Sequence, residues 1–181
     1  MKNFVFFVDM DEVLADFVGG VARLYGISPE DLEKRRVQGK WEIYEALETT
    51  GTECWNKIRK ARRFWRGLEC ISEGFELLRN LDTMRLNWRI LSSPDEEVDC
   101  YAEKYEWIKL YLGDCHKLIA TPDKHLLAKP NAILIDDREV NCQRFVEHGG
   151  RSILWPSIGN RLYPMRSEPV EHVMKEIKKC T

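Results

Sequence analysis

Apolar positions along the chain gather into five short runs, each closed by polar or turn-forming residues: Phe4–Val8, Trp88–Leu91, Lys117–Ala120, Ala132–Ile135 and Ser152–Trp155. Helix-period stretches separate most of them, with Glu73–Asp82 before the second run, Glu96–Leu112 after it and Val140–His148 before the fifth. In the longest stretch Val98, Tyr101, Tyr105, Ile108 and Leu112 repeat at three and four, which predicts a stripe facing the core. Strands alternating with helices of this length predict an α/β fold, a parallel sheet covered by helices on both faces.

The first two strands are parted by about eighty residues, far more than one crossover helix needs. Pro29, Gly39, Gly51 and Gly67 punctuate this stretch into helical pieces. It therefore reads as a small α-helical cap at residues 18–71, inserted into a sheet domain formed by residues 1–17 and 72–181. With no internal repeat and no low-complexity linker, the cap is expected to pack onto the sheet domain.

Composition narrows the class without naming it. A chain of 181 residues suits one domain with an insertion, and can bury about 70% of its unfolded surface. With 44% apolar and 32% charged residues it is neither disordered nor fibrous. The 28 Lys and Arg balance 30 Asp and Glu, a formal charge of −2, so a protein built wholly around nucleic acid or an anionic membrane is not expected. No apolar run approaches the ~18 residues of a membrane span. Met1 stands so near the first run that no leader peptide is expected. The six cysteines (Cys54, Cys70, Cys100, Cys115, Cys142, Cys180) are scattered without a C-x-x-C pair. Reduced thiols in a cytoplasmic protein are expected, rather than disulfides or structural zinc.

Three strand ends carry candidate chemistry. Asp9-Met10-Asp11 directly follows the first run, where open α/β sheets place their ligands. In extended backbone residues two apart point the same way, so both carboxylates can face one reacting group. One could attack phosphorus while the other shuttles a proton. An acidic pair can equally end a strand as solvated loop. The second run ends in Ser92-Ser93-Pro94, whose hydroxyls and amides could hold a phosphate oxygen. Ser93-Pro94-Asp95-Glu96 also reads as a capping box with Pro at the first helical position. The fourth run ends in Asp136-Asp137-Arg138. Adjacent carboxylates at a buried strand end repel unless a cation such as Mg²⁺ sits between them or Arg138 pairs with one. A sheet with strand 1 between strands 2 and 4 would bring all three ends together.

On these motifs the chain resembles haloacid dehalogenase-superfamily phosphatases, and within them the 5'(3')-deoxyribonucleotidases of the cytosolic and mitochondrial type. Val8-Asp9-Met10-Asp11 with Val13-Leu14-Ala15-Asp16-Phe17 and Gly19-Gly20 is similar to the family's opening motif. Leu32-Glu33, Arg35-Arg36, Glu42 and Tyr44 resemble its cap. Ser92-Ser93-Pro94, Glu103-Lys104-Tyr105 with Trp107, Asp123-Lys124 and Leu134-Ile135-Asp136-Asp137-Arg138 follow in the family's order.

The resemblance implies a Rossmann-like sheet of strand order 5-4-1-2-3 and a Mg²⁺-dependent phosphomonoesterase acting on deoxyribonucleoside monophosphates. It implies Asp9 as the nucleophile that becomes an aspartyl-phosphate, and Asp11 as general acid and base. It implies a Mg²⁺ site made by Asp9, the Asp11 main-chain carbonyl and Asp137, with Asp136 as an outer ligand. Ser92, Ser93 and Lys124 are the implied phosphate-binding residues. Among lysines, Lys129 precedes Asp136 by seven residues and belongs at the far end of that strand, whereas Lys124 follows the third run on the active-site side. If the long helix begins at Pro94, Lys104 lies about 15 Å from the strand end and reads as a structural residue or as one that supports the site from behind. A start near Asp99 would reverse that judgement.

Substrate contacts are where the chain departs from the pattern. Phe17 matches the family's first base-contacting aromatic, but the Phe-Trp-Val cap segment falls on Gln38-Gly39-Lys40, with Trp41 one place on. Gly39, Lys40 and Trp41 are the candidate substrate contacts there. Glu12 stands where the family has Gly, and its carboxylate would perturb the turn or repel phosphate unless it points outward. A phosphatase for another small phosphorylated metabolite, or a silent nucleotide- or phosphate-binding module, are the competing readings. The basic run Lys57–Arg66 reads as an amphipathic helix with Ile58, Ala61, Phe64 and Trp65 on its inner face. Trp55, Trp65, Trp88 and Trp155 read as core, and no histidine has metal-ligand spacing. The family's frequent dimerisation leaves a homodimer open.

Overall fold

A computed structural model describes residues 4–113 and 117–180. Five parallel strands, β1 (Val5–Val8), β2 (Asn87–Ser92), β3 (Leu118–Ala120), β4 (Ala132–Asp136) and β5 (Arg151–Leu154), form one sheet of order β3-β2-β1-β4-β5. This is the expected order, with β1 central between β2 and β4. Alternate residues of the inner strands face opposite ways. Phe6, Val8, Ile90, Ile133, Ile135 and Ile153 join the large core on one face. Phe7, Leu91, Ala132 and Leu134 pack with Phe145 on the other. Both faces being apolar explains why the strands read as solid apolar runs.

Between β1 and β2 lie α1 (Phe17–Leu24), α2 (Pro29–Arg35), a 3-10 turn at Glu45–Leu47, α3 (Gly51–Lys60) and α4 (Ser72–Thr83). Each of the first three helices starts on its own cap. Asp16 accepts from the Gly19 amide at 2.7 Å, Ser28 from Asp31 at 3.1 Å, and Thr50 with Glu53 closes a capping box. After β2 come α5 (Val98–Leu112), a 3-10 turn at Lys124–Leu127, α6 (Glu139–Glu147) and α7 (Pro169–Cys180).

Three expectations need correction. The stripe on α5 holds only at its end: Ile108 is buried and Leu112 packs on the core, but Val98 is 79% exposed and Tyr101 and Tyr105 are also exposed, while Cys100, Lys104 and Trp107 turn inward instead. Trp107 sets this face, because its indole N–H donates to the Leu68 carbonyl at 2.8 Å and its ring fills the core. The basic run is not one helix: α3 stops at Lys60, and Arg63 takes a left-handed φ of 59°. Finally, α5 starts at Val98, so the capping box at Ser93-Pro94-Asp95-Glu96 does not form.

The five described cysteines are unpaired with one another, and Cys115 lies outside the described residues. Among the described residues no helix is long and apolar enough to cross a membrane.

One close approach ties α4 to the turn after β1. A Cβ built on Gly74 would stand 1.9 Å from the Val13 carbonyl oxygen and 3.1 Å from Leu14 Cα. Backbone atoms cannot swing aside as a side-chain end can. Gly74→Ala is therefore expected to cost about 2 kcal/mol or more, read as a fall in the urea midpoint. The same change should also lower activity, since the turn it displaces follows Asp9 and Asp11.

Candidate active site

Strand register creates the site. β1 and β4 pair with Val8 opposite Ile135, and the Asp9 amide continues the ladder by donating to the Ile135 carbonyl at 2.9 Å. The next residues, Asp9 and Asp136, are thus side by side at the carboxyl ends of neighbouring strands, with Asp137 one step on. Carboxylate oxygens of Asp9, Asp136 and Asp137 lie within 4.8 Å of one another, and all three residues are buried.

Lys124 answers part of this charge. Its ammonium stands 2.7 Å from Asp9 Oδ1 and 2.6 Å from Asp136 Oδ2, carried there by the 3-10 turn beyond β3. Asp136 is further saturated by the Arg138 amide at 2.9 Å and by the Asn141 side-chain amide at 3.0 and 3.1 Å. Asp9 Oδ1 also accepts from the Met10 amide at 2.7 Å. Burial, then repulsion from Asp136, pushes the Asp9 carboxyl up to about 7, despite Lys124. The same two causes hold Asp137 well above the usual carboxylate range. Burial pulls the Lys124 ammonium down, yet Asp136 and Asp9 together outweigh it and leave Lys124 above its ordinary value.

Fully ionised, these three carboxylates would exceed the one ammonium beside them by two charges. Hard oxygen donors with that excess suit a small divalent cation such as Mg²⁺. With Asp136 saturated by protein donors, Asp9 and Asp137 are the carboxylates best able to reach an ion. Asn160, buried, braces this end by donating to the main-chain carbonyls of Asp137 at 2.7 Å and Trp155 at 2.8 Å.

A second lysine enters from the opposite side, on the later helix start that the sequence left open. Lys104 is buried and its ammonium pairs with Asp11 Oδ2 and donates to Ser92 Oγ at 2.8 Å. It reaches the strand ends because α5 begins at Val98, four residues later than Pro94, which shortens its distance along the helix by about 6 Å. Ser92, the last residue of β2, is fully buried behind this lysine, whereas Ser93 borders the open cavity. Asp11 Oδ1 is buried with no hydrogen-bond partner among the described residues.

Glu12 does not point outward. It takes a left-handed φ of 58°, a conformation that costs a non-glycine residue about 1–2 kcal/mol. Its carboxylate accepts from the Val18 amide at 2.8 Å, satisfying a free N–H in the first turn of α1. Burial pushes its carboxyl up to about 7, and the Val18 hydrogen bond and then the Arg36 charge oppose this only in part.

A cavity of about 220 Å³ opens over these groups. Asp9, Asp11, Glu12, Lys124 and Asp137 line its charged part, and Phe17, Trp41, Trp55 and Trp65 its aromatic part. Phe17 stacks on Trp65 at 5.4 Å and on Trp55 at 5.8 Å between ring centres. Trp55 and Trp65 are therefore cavity wall rather than core alone, while Trp88 and Trp155 are core. Trp41 reaches the cavity and stacks under the Arg138 guanidinium at 4.2 Å.

Gly39 and Lys40 do not line the cavity. Gly39 sits at φ 80° in a turn whose amide donates to the Ile158 carbonyl at 2.8 Å. Lys40 faces a separate surface hollow, with its carbonyl 3.5 Å from Arg36 Nη2. Their neighbour Trp41 alone turns inward, because the chain reverses at Gly39. Sequence reasoning also passed over Asp95, Asn141 and Asn160. Only Asn141 had a local signal, its place one helical turn after Asp136-Asp137-Arg138.

Comparison with known proteins agrees with this geometry. The family model for 5' nucleotidase, deoxy (pyrimidine), cytosolic type C proteins matches residues 3–174. The human cytosolic 5'(3')-deoxyribonucleotidase is 33% identical over 141 residues, covering 73% of this chain and 69% of that protein. The human mitochondrial enzyme is 32% identical over 142 residues, covering 72% and 60%. Among solved structures, a hydrolase from Pseudomonas syringae has a TM-score of 0.58 at 15% identity, over 98% of this chain and 99% of that one. A HAD family hydrolase from Deinococcus radiodurans R1 has a TM-score of 0.53 at 13% identity, over 85% and 80%. The chain belongs to the 5'(3')-deoxyribonucleotidase family and is a phosphoric monoester hydrolase of the haloacid dehalogenase fold.

Proposed function

We propose that the protein is a Mg²⁺-dependent phosphatase of deoxyribonucleoside monophosphates that works through an aspartyl-phosphate on Asp9. The observation that carries this reading is the convergence of the Asp9, Asp136 and Asp137 carboxylates within 4.8 Å, with the Lys124 ammonium between two of them. Support for the substrate class comes from the family relationship and from the aromatic wall beside this charged cluster.

Asp9 Oδ1 is held by Lys124 and Met10, so Oδ2 is the attacking oxygen. It forms a bond to phosphorus as the bond to the nucleoside oxygen breaks. Asp11, whose Oδ1 is buried without a partner, gives its proton to the departing alkoxide. It then takes a proton from water, which attacks the phosphorus of the acyl-phosphate and returns Asp9 as carboxylate. Asp9, Asp137 and the Asp11 carbonyl would hold Mg²⁺, which would supply the positive charge that a dianionic phosphoryl group needs beside a carboxylate. Lys124 and Lys104 stabilise the equatorial oxygens from two sides, and Asp136 orients Lys124. Residues 18–71 act as the cap that closes this chemistry from water.

A panel of nucleoside monophosphates and sugar phosphates with Mg²⁺ tests the reading. Deoxyribonucleoside monophosphates should give the highest kcat/KM, and a sugar phosphate in that place would overturn the substrate class. Asp9→Asn should lower kcat by at least about a thousandfold, and wild-type turnover in that variant would overturn the mechanism. Lys104→Ala should lower kcat by about a hundredfold, measured with the same substrate, in contrast to the small effect of losing a structural surface lysine.

Metal removal has a signature in stability as well. Asp9 and Asp137 bind protons more tightly folded than unfolded, so the ion-free protein loses stability as pH rises from about 4 through about 7. Mg²⁺ competes with those protons and relieves the repulsion once they leave. Saturating Mg²⁺ is expected to raise Tm by about 5 °C at pH 8 and by less than about 2 °C at pH 5, followed by calorimetry. Asp137→Asn should shrink the gain at pH 8.

A further inference from the structure

Three main-chain amides converge on the carboxylate of Glu103, the residue before Lys104 on α5. Oε1 accepts from the Arg63 amide at 2.8 Å, and Oε2 from the Trp65 amide at 2.9 Å and the Arg66 amide at 3.4 Å. The Arg66 side chain pairs instead with Glu106, at 3.0 Å. These amides belong to the turn that follows α3, where Arg63 takes its left-handed φ of 59°. A left-handed residue inside a tight turn aims successive N–H groups at one point, which makes a concavity suited to an anion. Glu103 fills it from a different element, 38 residues along the chain from Trp65.

Trp65 rides on this turn, and its ring forms part of the cavity wall. The ring centre lies 5.4 Å from that of Phe17 with 17° between the planes. Lys104 Nζ lies 4.5 Å from the same ring centre. Neighbouring residues of α5 thus supply a carboxylate to the backbone of the turn and an ammonium to its ring. The turn closes on itself through the Gly67 amide, which reaches the Arg63 carbonyl at 2.9 Å. The Trp65 amide is left to Glu103. An amide deprived of its acceptor in so packed a place must find another, and the turn moves to do so.

Resting on the nucleotidase reading above, we propose that Glu103 is a positioning residue for the reaction. It fixes the Trp65 ring beside Phe17 and so shapes the wall against which the nucleoside part of the substrate is held. It acts through Trp65 and not through the neighbouring Lys104, whose ammonium has partners of its own in Asp11 and Ser92. Its effect therefore falls on substrates that carry a base and spares those that carry only the sugar phosphate, because a ring displaced by a fraction of an ångström no longer matches the flat partner it stacks on.

Glu103→Gln keeps the length of the side chain but turns an N–H group toward amides that need an acceptor. Two substrates separate the roles: the deoxyribonucleoside monophosphate best used in the panel above, and 2-deoxyribose 5-phosphate, which has the same ester without the base. On the full chain with Mg²⁺, Glu103→Gln should raise KM for the nucleotide about tenfold while kcat stays within about threefold. For the sugar phosphate kcat/KM should stay within about threefold. The ratio of the two kcat/KM values, which cancels any difference in active enzyme between preparations, then falls about tenfold. Glu103→Asp, whose acceptors remain but reach less far, should lie between wild type and Glu103→Gln. In a Trp65→Leu background Glu103→Gln should change the ratio by less than about twofold, because the ring through which it acts is gone.

An unmoved ratio, whether both substrates fall together or neither changes, would overturn the role of Glu103 while leaving the nucleotidase reading intact, since damage to Lys104 or to folding acts on both. A fall that persists undiminished in the Trp65→Leu background would overturn the route through the ring. Wild-type preference for 2-deoxyribose 5-phosphate over every nucleotide would instead overturn the nucleotidase reading, and this inference with it. Where sugar-phosphate hydrolysis is too slow to follow, the nucleotide alone decides: a rise in KM supports the proposal and a fall in kcat at constant KM overturns it. If Glu103→Gln fails to fold, the Glu103→Asp ratio decides in its place, and if Trp65→Leu fails to fold, the ratio in the single variants does.

Discussion

The structure turns on like charge forced together by strand register. Parallel pairing of β1 with β4 sets Val8 against Ile135, and the chain then carries a carboxylate on both strands at the next position. Neither Asp9 nor Asp136 can retreat into solvent, since both are buried in the centre of the sheet. Such a group of charges is tolerable only with cations brought to it, and much of the surrounding architecture does that work. Lys124 arrives from the turn beyond the edge strand β3, and Lys104 from the second turn of α5. Both are themselves buried, so each ammonium depends on the carboxylates as much as they depend on it.

The helices are placed to serve this arrangement. α5 could have turned its tyrosines inward; instead Trp107 joins Ile108 in the core and Lys104 is drawn with them to the strand ends. α4 packs so closely on the turn after β1 that only glycine fits at position 74. The turn itself accepts a left-handed Glu12, whose carboxylate returns some of the strain by binding the Val18 amide. Local cost and compensation lie six residues apart, at Glu12 and Val18, just beyond the central aspartates, as is usual where a site must be held in one geometry.

Residues 18–71 meet the rest of the chain through polar contacts as well as apolar packing. Arg59 grips Asp95, Glu103 accepts the Arg63 and Trp65 amides at 2.8 and 2.9 Å, and Arg166 binds Glu33 at 2.9 Å. These contacts give the aromatic wall a defined position over the charged groups. The Glu103 contact holds the turn that follows α3, where the expected long basic helix is broken.

Much was legible in the sequence because it depended on short-range patterns. Solid apolar runs announced strands buried on both faces, and acidic or hydroxyl residues just beyond them marked the strand ends where Asp9, Asp11, Ser92, Asp136 and Asp137 meet. Even Lys124 followed from counting residues past the third run. What the sequence could not determine by itself depended on where elements start and on what packs against them. A four-residue shift in the start of α5 converts Lys104 from a structural residue into a partner of Asp11 and Ser92. A turn at Gly39 keeps Lys40 out of the cavity while admitting Trp41. Asp95 acquires its place only because Arg59, thirty-six residues earlier, packs directly against it. Local pattern is written in neighbouring residues, whereas the wall of a binding site is assembled from distant ones, and only the packing of α3 and α5 against the sheet decides which of them face each other.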